Sequence, residues 1–188
     1  MIGRLPSRDT IAAEMTEASP LDMGANPEPA SADAQEFRAS LEGTCISTQT
    51  YLANDYLNNF NEVVMLLEMV PDMPDVLEDL KEWTPVTYRQ HFEASGLSEN
   101  QLAIEAYERA PERFRRPFDG TVEQMKRVIA SSVDRVEKAL AAGETDQLKA
   151  IAVGASQVVG KLIDVAGAIV HGSEATHDQG EIDSLLGD

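Results

Sequence analysis

Apolar positions recur along the middle of this chain with the three-to-four residue spacing of helices, and no stretch alternates with the two-residue period of a strand. Ser31–Asp33 predicts a helix start. From Ala34 to Met69 the residues Leu52, Tyr56, Phe60, Val63, Val64 and Leu67 fall on one helical face. Gly43 is placed to bend or split that helix, and Pro71 to end it, since proline lacks an amide donor and restricts the residue before it. Pro74 suits the first position of a short helix over Pro74–Trp83. Thr84–Gly96, punctuated by Pro85, is expected to be irregular. Ser98 and Gln101 form a capping-box pattern ahead of a helix over Leu102–Arg109. Pro111 opens a longer helix whose face carries Phe114, Phe118, Val122, Met125, Ile129, Val133, Val136 and Leu140. Gly143 breaks it, and Glu144 or Thr145 starts a last helix that runs to about Val170.

The last helix lacks an ordinary polar face. Ala150–Val170 carries two charges, Lys161 and Asp164, with Gly154, Gly160 and Gly167 between apolar residues. Such a helix is expected to be buried on several sides. A membrane span is the rival reading, because about 20 apolar residues suffice to cross a bilayer. Gln157, Lys161 and Asp164 at its centre weigh against it. The pattern therefore predicts an all-α fold: a long antiparallel hairpin over Pro111–Val170, completed in a homodimer as a four-helix bundle. The hairpin belongs to a helical body over 33–171. Residues 1–32 hold Pro6, Pro20, Pro27 and Pro29 with no periodicity, the composition of a disordered arm. Residues 172–178 predict a linker, and 179–188 a terminal tail helix.

Composition narrows the function. Among 188 residues there are 33 acids and 15 bases, a formal net charge of −18. That balance disfavours nucleic acid and anionic membrane as partners, since both demand cations. Aromatics are 5% of the chain while Ala is abundant, which favours close helix-on-helix packing. The one cysteine, Cys45, forms no intramolecular disulfide and no Cys-based zinc site. His91, His171 and His177 lie at no metal-site spacing, and neither His91 nor His171 has the Lys-Gly context of a phosphotransfer histidine. Residues 54–82 carry eight acids and one lysine. Asp72, Asp75, Glu78, Asp79 and Glu82 lack the spacing of an EF-hand loop, so a solvated acidic helix is expected rather than a metal site. Arg109, Arg113, Arg115 and Arg116 form a basic cluster, expected to pair with the chain's own acids. Met1–Leu5 is followed by Pro6, charges and Ser instead of an apolar run, which predicts no signal peptide and a cytoplasmic chain.

The end of the chain carries the sharpest pattern. Ile182, Leu185 and Leu186 fall at i, i+3 and i+4, with Glu181 and Asp183 off that stripe. An amphipathic turn of this kind docks an apolar groove on a partner, or packs back on its own body. Residues 174–188 contain five acids and neither Lys nor Arg, so a partner's groove should be basic at its edge.

Gln179-Gly-Glu-Ile-Asp-Ser-Leu-Leu186 resembles the peptide by which two chemotaxis proteins grip the response regulator CheY: the flagellar switch protein FliM, through its N-terminal segment, and the phosphatase CheZ, through its C-terminal one. Its place after a linker matches the CheZ arrangement. Gln157-Val-Val-Gly-Lys-Leu-Ile-Asp-Val165 is similar to the segment around the catalytic glutamine of the CheZ family. That family carries an Asp four residues before the Gln, where this chain has Val153. Asp55–Trp83 and Tyr88–Arg116 take no part in the resemblance. The resemblance implies a phosphatase of a phosphorylated CheY-type regulator, gripped through Glu181, Ile182, Asp183, Leu185 and Leu186. It implies no cofactor of the chain's own, the regulator supplying Mg.

Phosphoaspartate is lost by in-line attack of water, and a helper protein need only hold that water, which a side-chain amide can do. The search is therefore for an amide with an acid about one turn away on an exposed face. Gln157 qualifies, with Lys161 and Asp164 at +4 and +7. The second place is Asp55 and Asn59, at i and i+4, with Asn58 and Glu62 close by. Each has a plain structural alternative: the solvated edge of a buried helix for Gln157, and an exposed face or a buried polar network between helices for Asn59. The functional readings are a CheZ-like phosphatase, a non-catalytic adaptor or sink for the same regulator, or a helical dimer whose tail match is accidental.

Overall fold

The computed structural model describes residues 32–95 and 99–173. Its elements are α1 (Ala32–Ser40), a 3₁₀ turn (Asn54–Leu57), α2 (Asn58–Met69), α3 (Val76–Glu82), α4 (Tyr88–Ala94), α5 (Asn100–Arg109), α6 (Glu112–Ala142) and α7 (Thr145–Val170). The described residues are thus all-α, with one isolated bridge between Ile46 and Ala53. The arm over 1–31, the end of the linker and the tail over 179–188 lie outside the described residues.

Glycine geometry ends the two long helices. Gly143 adopts φ +72° and Gly172 φ +88°, the left-handed region that costs a glycine nothing. At α6 the Glu144 amide donates to Ala139 and the Gly143 amide to Leu140. At α7 Ser173 donates to Ala168 and Gly172 to Ile169. Both are Schellman endings, satisfying carbonyls the helix leaves open. Gly172 and Ser173, placed in the linker by composition, are thereby tied to α7.

Three expectations need correction. The helix over Ala34–Met69 is split, one of the two outcomes expected at Gly43, but the break is a whole segment, irregular over Leu41–Ala53 and followed by the 3₁₀ turn, before α2 begins. In that segment Thr44 and Ser47 hydroxyls bond local backbone: Ile46 donates to Thr44 Oγ1, and Gln49 and Thr50 to Ser47 Oγ. These short polar side chains offer the backbone an alternative to the helix ladder. Tyr51 takes φ +62° and its amide donates to Ser47. Second, Thr84–Gly96 contains α4, opened by a capping box in which Thr87 and Gln90 bond each other's backbone amides. Third, α5 begins after Glu99 with no side-chain cap; Ser98 lies outside the described residues.

The hairpin of α6 and α7 forms as its apolar pattern predicts, and α2 packs along α7 in the same chain. The apolar surface of α7 is therefore covered by α6, α2 and the 3₁₀ turn, so its burial does not by itself demand a second copy. Leu148, Ile151, Ala152, Val159, Leu162, Ala166 and Ile169 are buried there. By length and composition alone α7 is also apolar enough to cross a membrane. Leu140, expected on the inner face of α6, is 37% exposed, because it falls in the last turn beside the Gly143 ending.

Thr50 ties the irregular segment to this core. It is fully buried, and its hydroxyl donates to the Val170 carbonyl at 2.7 Å. Just beyond it along the chain, where Ala53 donates its amide to the Tyr88 hydroxyl at 2.8 Å, an aromatic cluster of Tyr56, Phe60, Tyr88, Phe92 and Phe118 joins the 3₁₀ turn, α2, α4 and α6. The α1 helix buries no residue fully; Phe37 holds it, edge-on to Tyr51 with the Arg109 guanidinium 4.2 Å above its ring.

Candidate functional site

Along α7 the side chains of Val153, Gln157, Lys161 and Asp164 form one exposed stripe. The opposite face is consumed by α6 and α2, so these residues occupy the solvent edge of a helix locked in place from behind. Val153 is 38% exposed, which makes it an apolar surface residue where an acid would be solvated without cost. Ser156, next to the stripe, turns its hydroxyl to the Val153 carbonyl at 3.0 Å. Gln157, Lys161 and Asp164 have no side-chain partner among the described residues. The amide of Gln157 is thus open to water on both its donor and acceptor sides.

The second candidate is arranged differently. Asn59 is half-buried, and both hydrogens of its Nδ2 are engaged: one donates to the Tyr56 carbonyl at 3.0 Å, the other faces Nδ1 of His91 at 2.8 Å. An acceptor Nδ1 means that His91 is neutral with its proton on Nε2. Burial lowers the His91 pKa, with the charge of Asp55 opposing that shift. The ring is wedged edge-on against Tyr56 and Phe92. Asn59 is therefore a joint between α2 and α4, the polar network that was the alternative to a catalytic amide. Asn58 and Glu62 are exposed.

Asp55 faces a further group. Cys45 Sγ lies 3.9 Å from Glu99 Oε2. Burial, a hydrogen bond to Asp55, and the charges of Asp55 and Glu99 push the Cys45 thiol up to about 11. A thiol so held is protonated at neutral pH and is a poor nucleophile. Sequence spacing had no means of finding His91 beside Asn59, or Cys45 beside Asp55, because each pair joins separate elements across irregular chain.

The acids Asp72, Asp75, Glu78, Asp79 and Glu82 are exposed on or just before α3. No group of three or more His, Cys, Asp or Glu side chains that could hold a metal ion is assembled among the described residues. Lys81 links Glu78 to Glu137 on α6 at 2.8 Å. The arginine cluster is engaged only in part: Arg109 pairs with Glu105, Arg115 donates to the Glu108 carbonyl and Arg113 lies over Phe114, while Arg116 is exposed. Glu181, Ile182, Asp183, Leu185 and Leu186 lie outside the described residues.

Comparisons with protein-family models, with curated proteins and with solved structures return no match.

Proposed function

We propose that the protein is a CheZ-like regulator that grips a CheY-type response regulator through Glu181, Ile182, Asp183, Leu185 and Leu186 and promotes hydrolysis of its phosphoaspartate. The observation that carries the reading is the unengaged Gln157 amide on the exposed edge of α7, on the same helix that leads into the tail. Gln157 accepts a hydrogen bond from the attacking water through Oε1 and steadies it through Nε2, while Lys161 and Asp164 flank the approach. The regulator supplies the metal ion and the phosphorylated side chain. The catalytic pair Asn59 and Asp55 stays second to Gln157, since the Asn59 donors are already used. A homodimer across the α6–α7 groove, lined by Ser132, Ile151, Gly154 and Ala155, belongs to the same proposal. A cytoplasmic location accords with such a partner.

The second reading, an adaptor or sink that binds the regulator without chemistry, is favoured by Val153. An apolar side chain one turn before Gln157 cannot orient a lysine or a water.

The deciding experiment follows phosphoaspartate decay on CheY-type regulators with and without the protein. Acceleration that Gln157→Ala reduces on the order of 10²-fold, with tail binding intact, supports the phosphatase. Deletion of 178–188 should instead raise the apparent KM and spare the rate at high regulator concentration, because only the tether is lost. Binding without any change in phosphate lifetime establishes the adaptor. No binding of any such regulator refutes both.

A further inference from the structure

Three of the seven methionines stand at four-residue intervals, Met65 and Met69 on α2 and Met73 just past its end. Residues four apart on a helix share a face, with Cβ atoms about 5–6 Å apart. The register outlasts α2, because the Met73 amide donates to the Met69 carbonyl at 2.9 Å, the same bond the helix ladder makes. Met65 and Met73 are each 53% exposed, more than any other large apolar residue described, and Met69 between them is half-buried. Methionine ordinarily fills gaps in a core, as the fully buried Met125 does here. Packing therefore does not account for two thioethers left in water on either side of a third. Glu62, Glu68 and Asp72 are exposed on the same side of the helix. The one base in residues 54–82, Lys81, is engaged by Glu78 and Glu137, so the methionine face stands in a negative field.

Thioether sulfur is a soft, polarisable, uncharged donor. It selects Cu(I), whereas carboxylates and carbonyls suit Mg and Ca. The sulfur of methionine stands two bonds beyond Cβ on a freely rotating stem. Two such sulfurs one helical turn apart can close on opposite sides of a single ion, the two-coordinate arrangement that Cu(I) and Ag(I) accept. Met65 and Met73 are two turns apart, about 12 Å along the axis, so they do not reach one ion together. Met69 is therefore the common member of both possible pairs, and its half-buried stem holds it in place. The neighbouring carboxylates attract a cation without displacing sulfur. A docking patch for an apolar partner is the rival use of this face, but Glu62, Glu68 and Asp72 interrupt the apolar surface and would have to shed their water. We infer that Met65, Met69 and Met73 form a thioether site for the soft monovalent cation Cu(I), with Met69 as the shared ligand. The site lies apart from the residues of the proposed hydrolysis.

Ag(I) shares the charge and softness of Cu(I) without its redox chemistry. Titrated as the nitrate into the full-length Cys45→Ser chain, where the exposed thiol no longer competes, it tests the site through the NMR signals of isotope-labelled methionine methyl groups. The expected result is saturable shifts at Met65, Met69 and Met73, reached before any at Met1, Met15, Met23 or Met125. Cu(I) kept reduced with ascorbate should move the same three methyls, and Mg(II) should move none. Met69→Leu, which keeps the volume of the side chain, leaves no pair one turn apart and should weaken Ag(I) at least about tenfold. Met65→Leu and Met73→Leu each leave one pair and should weaken it less. Shifts spread evenly over the methionines, no saturation, silence toward Cu(I), or a folded Met69→Leu chain that binds as tightly as its parent would overturn the inference. The residue-by-residue pattern in the unsubstituted stripe decides the matter whether or not a variant folds.

Discussion

Replacing Asn59 with Ala separates its structural role from a catalytic one. The substitution deletes two hydrogen bonds, to the Tyr56 carbonyl and to His91 Nδ1. A neutral hydrogen bond contributes about 0.5–1.5 kcal/mol net, so the pair is worth about 1–3 kcal/mol, with the lower half expected for a half-buried side chain. For a chain of this size each kcal/mol lowers Tm by about 2–4 °C. Urea titration at pH 7.5 measures the loss directly. The pH dependence supplies a second arm. Because the fold lowers the His91 pKa, the folded state favours the neutral ring. That stability is fully present above the unfolded value near 6.5 and is lost as pH falls through the folded value. Wild type should thus weaken below about pH 6.5, and His91→Gln should remove that part of the slope. An Asn59→Ala protein as stable as wild type, or a His91→Gln protein whose stability follows pH between 7 and 5.5 as wild type does, would refute the joint between α2 and α4.

Thr50→Val keeps the shape of the side chain but strands the Val170 carbonyl, so a loss of about 1–3 kcal/mol in denaturant unfolding is expected, unusually large for a residue in an irregular segment. Gly143→Ala and Gly172→Ala should each cost about 1–2 kcal/mol from left-handed backbone strain. At Gly172 the added Cβ meets only the end of the exposed, flexible Gln49 side chain, which can swing aside, so the two variants should lose similar stability and adding Gln49→Ala should change little. In a synthetic peptide of 178–188, Leu185→Ala should weaken binding to a CheY-type regulator by about tenfold or more by calorimetry, since burying one leucine is worth about 1.5–3 kcal/mol.

The helices that carry long apolar faces were legible in the chain itself. Phe114, Phe118, Val122, Met125 and Ile129 mark α6, Gly143 its end, and the glycine-spaced run of Ala150–Val170 marks α7, because each signal is local: a period, a cap, a break. The exposed stripe of Gln157, Lys161 and Asp164 was legible for the same reason, since polar residues at +4 and +7 share a face whatever packs behind them. Short-range signals misled where two local preferences compete. Apolar spacing carried the first helix through Leu41–Ala53, but there hydroxyls of Thr44 and Ser47 capture backbone amides, and Thr50 reaches Val170, 120 residues away. Pro85 suggested irregular chain across a segment whose Thr87–Gln90 capping box opens α4. Only tertiary structure decided that α2 covers α7 within one chain, that His91 takes the Asn59 donor, and that Tyr107 and Asp119 meet beside Tyr56 and Tyr88. Those contacts join separate elements, and no periodicity along one element encodes which residue of another will stand opposite it.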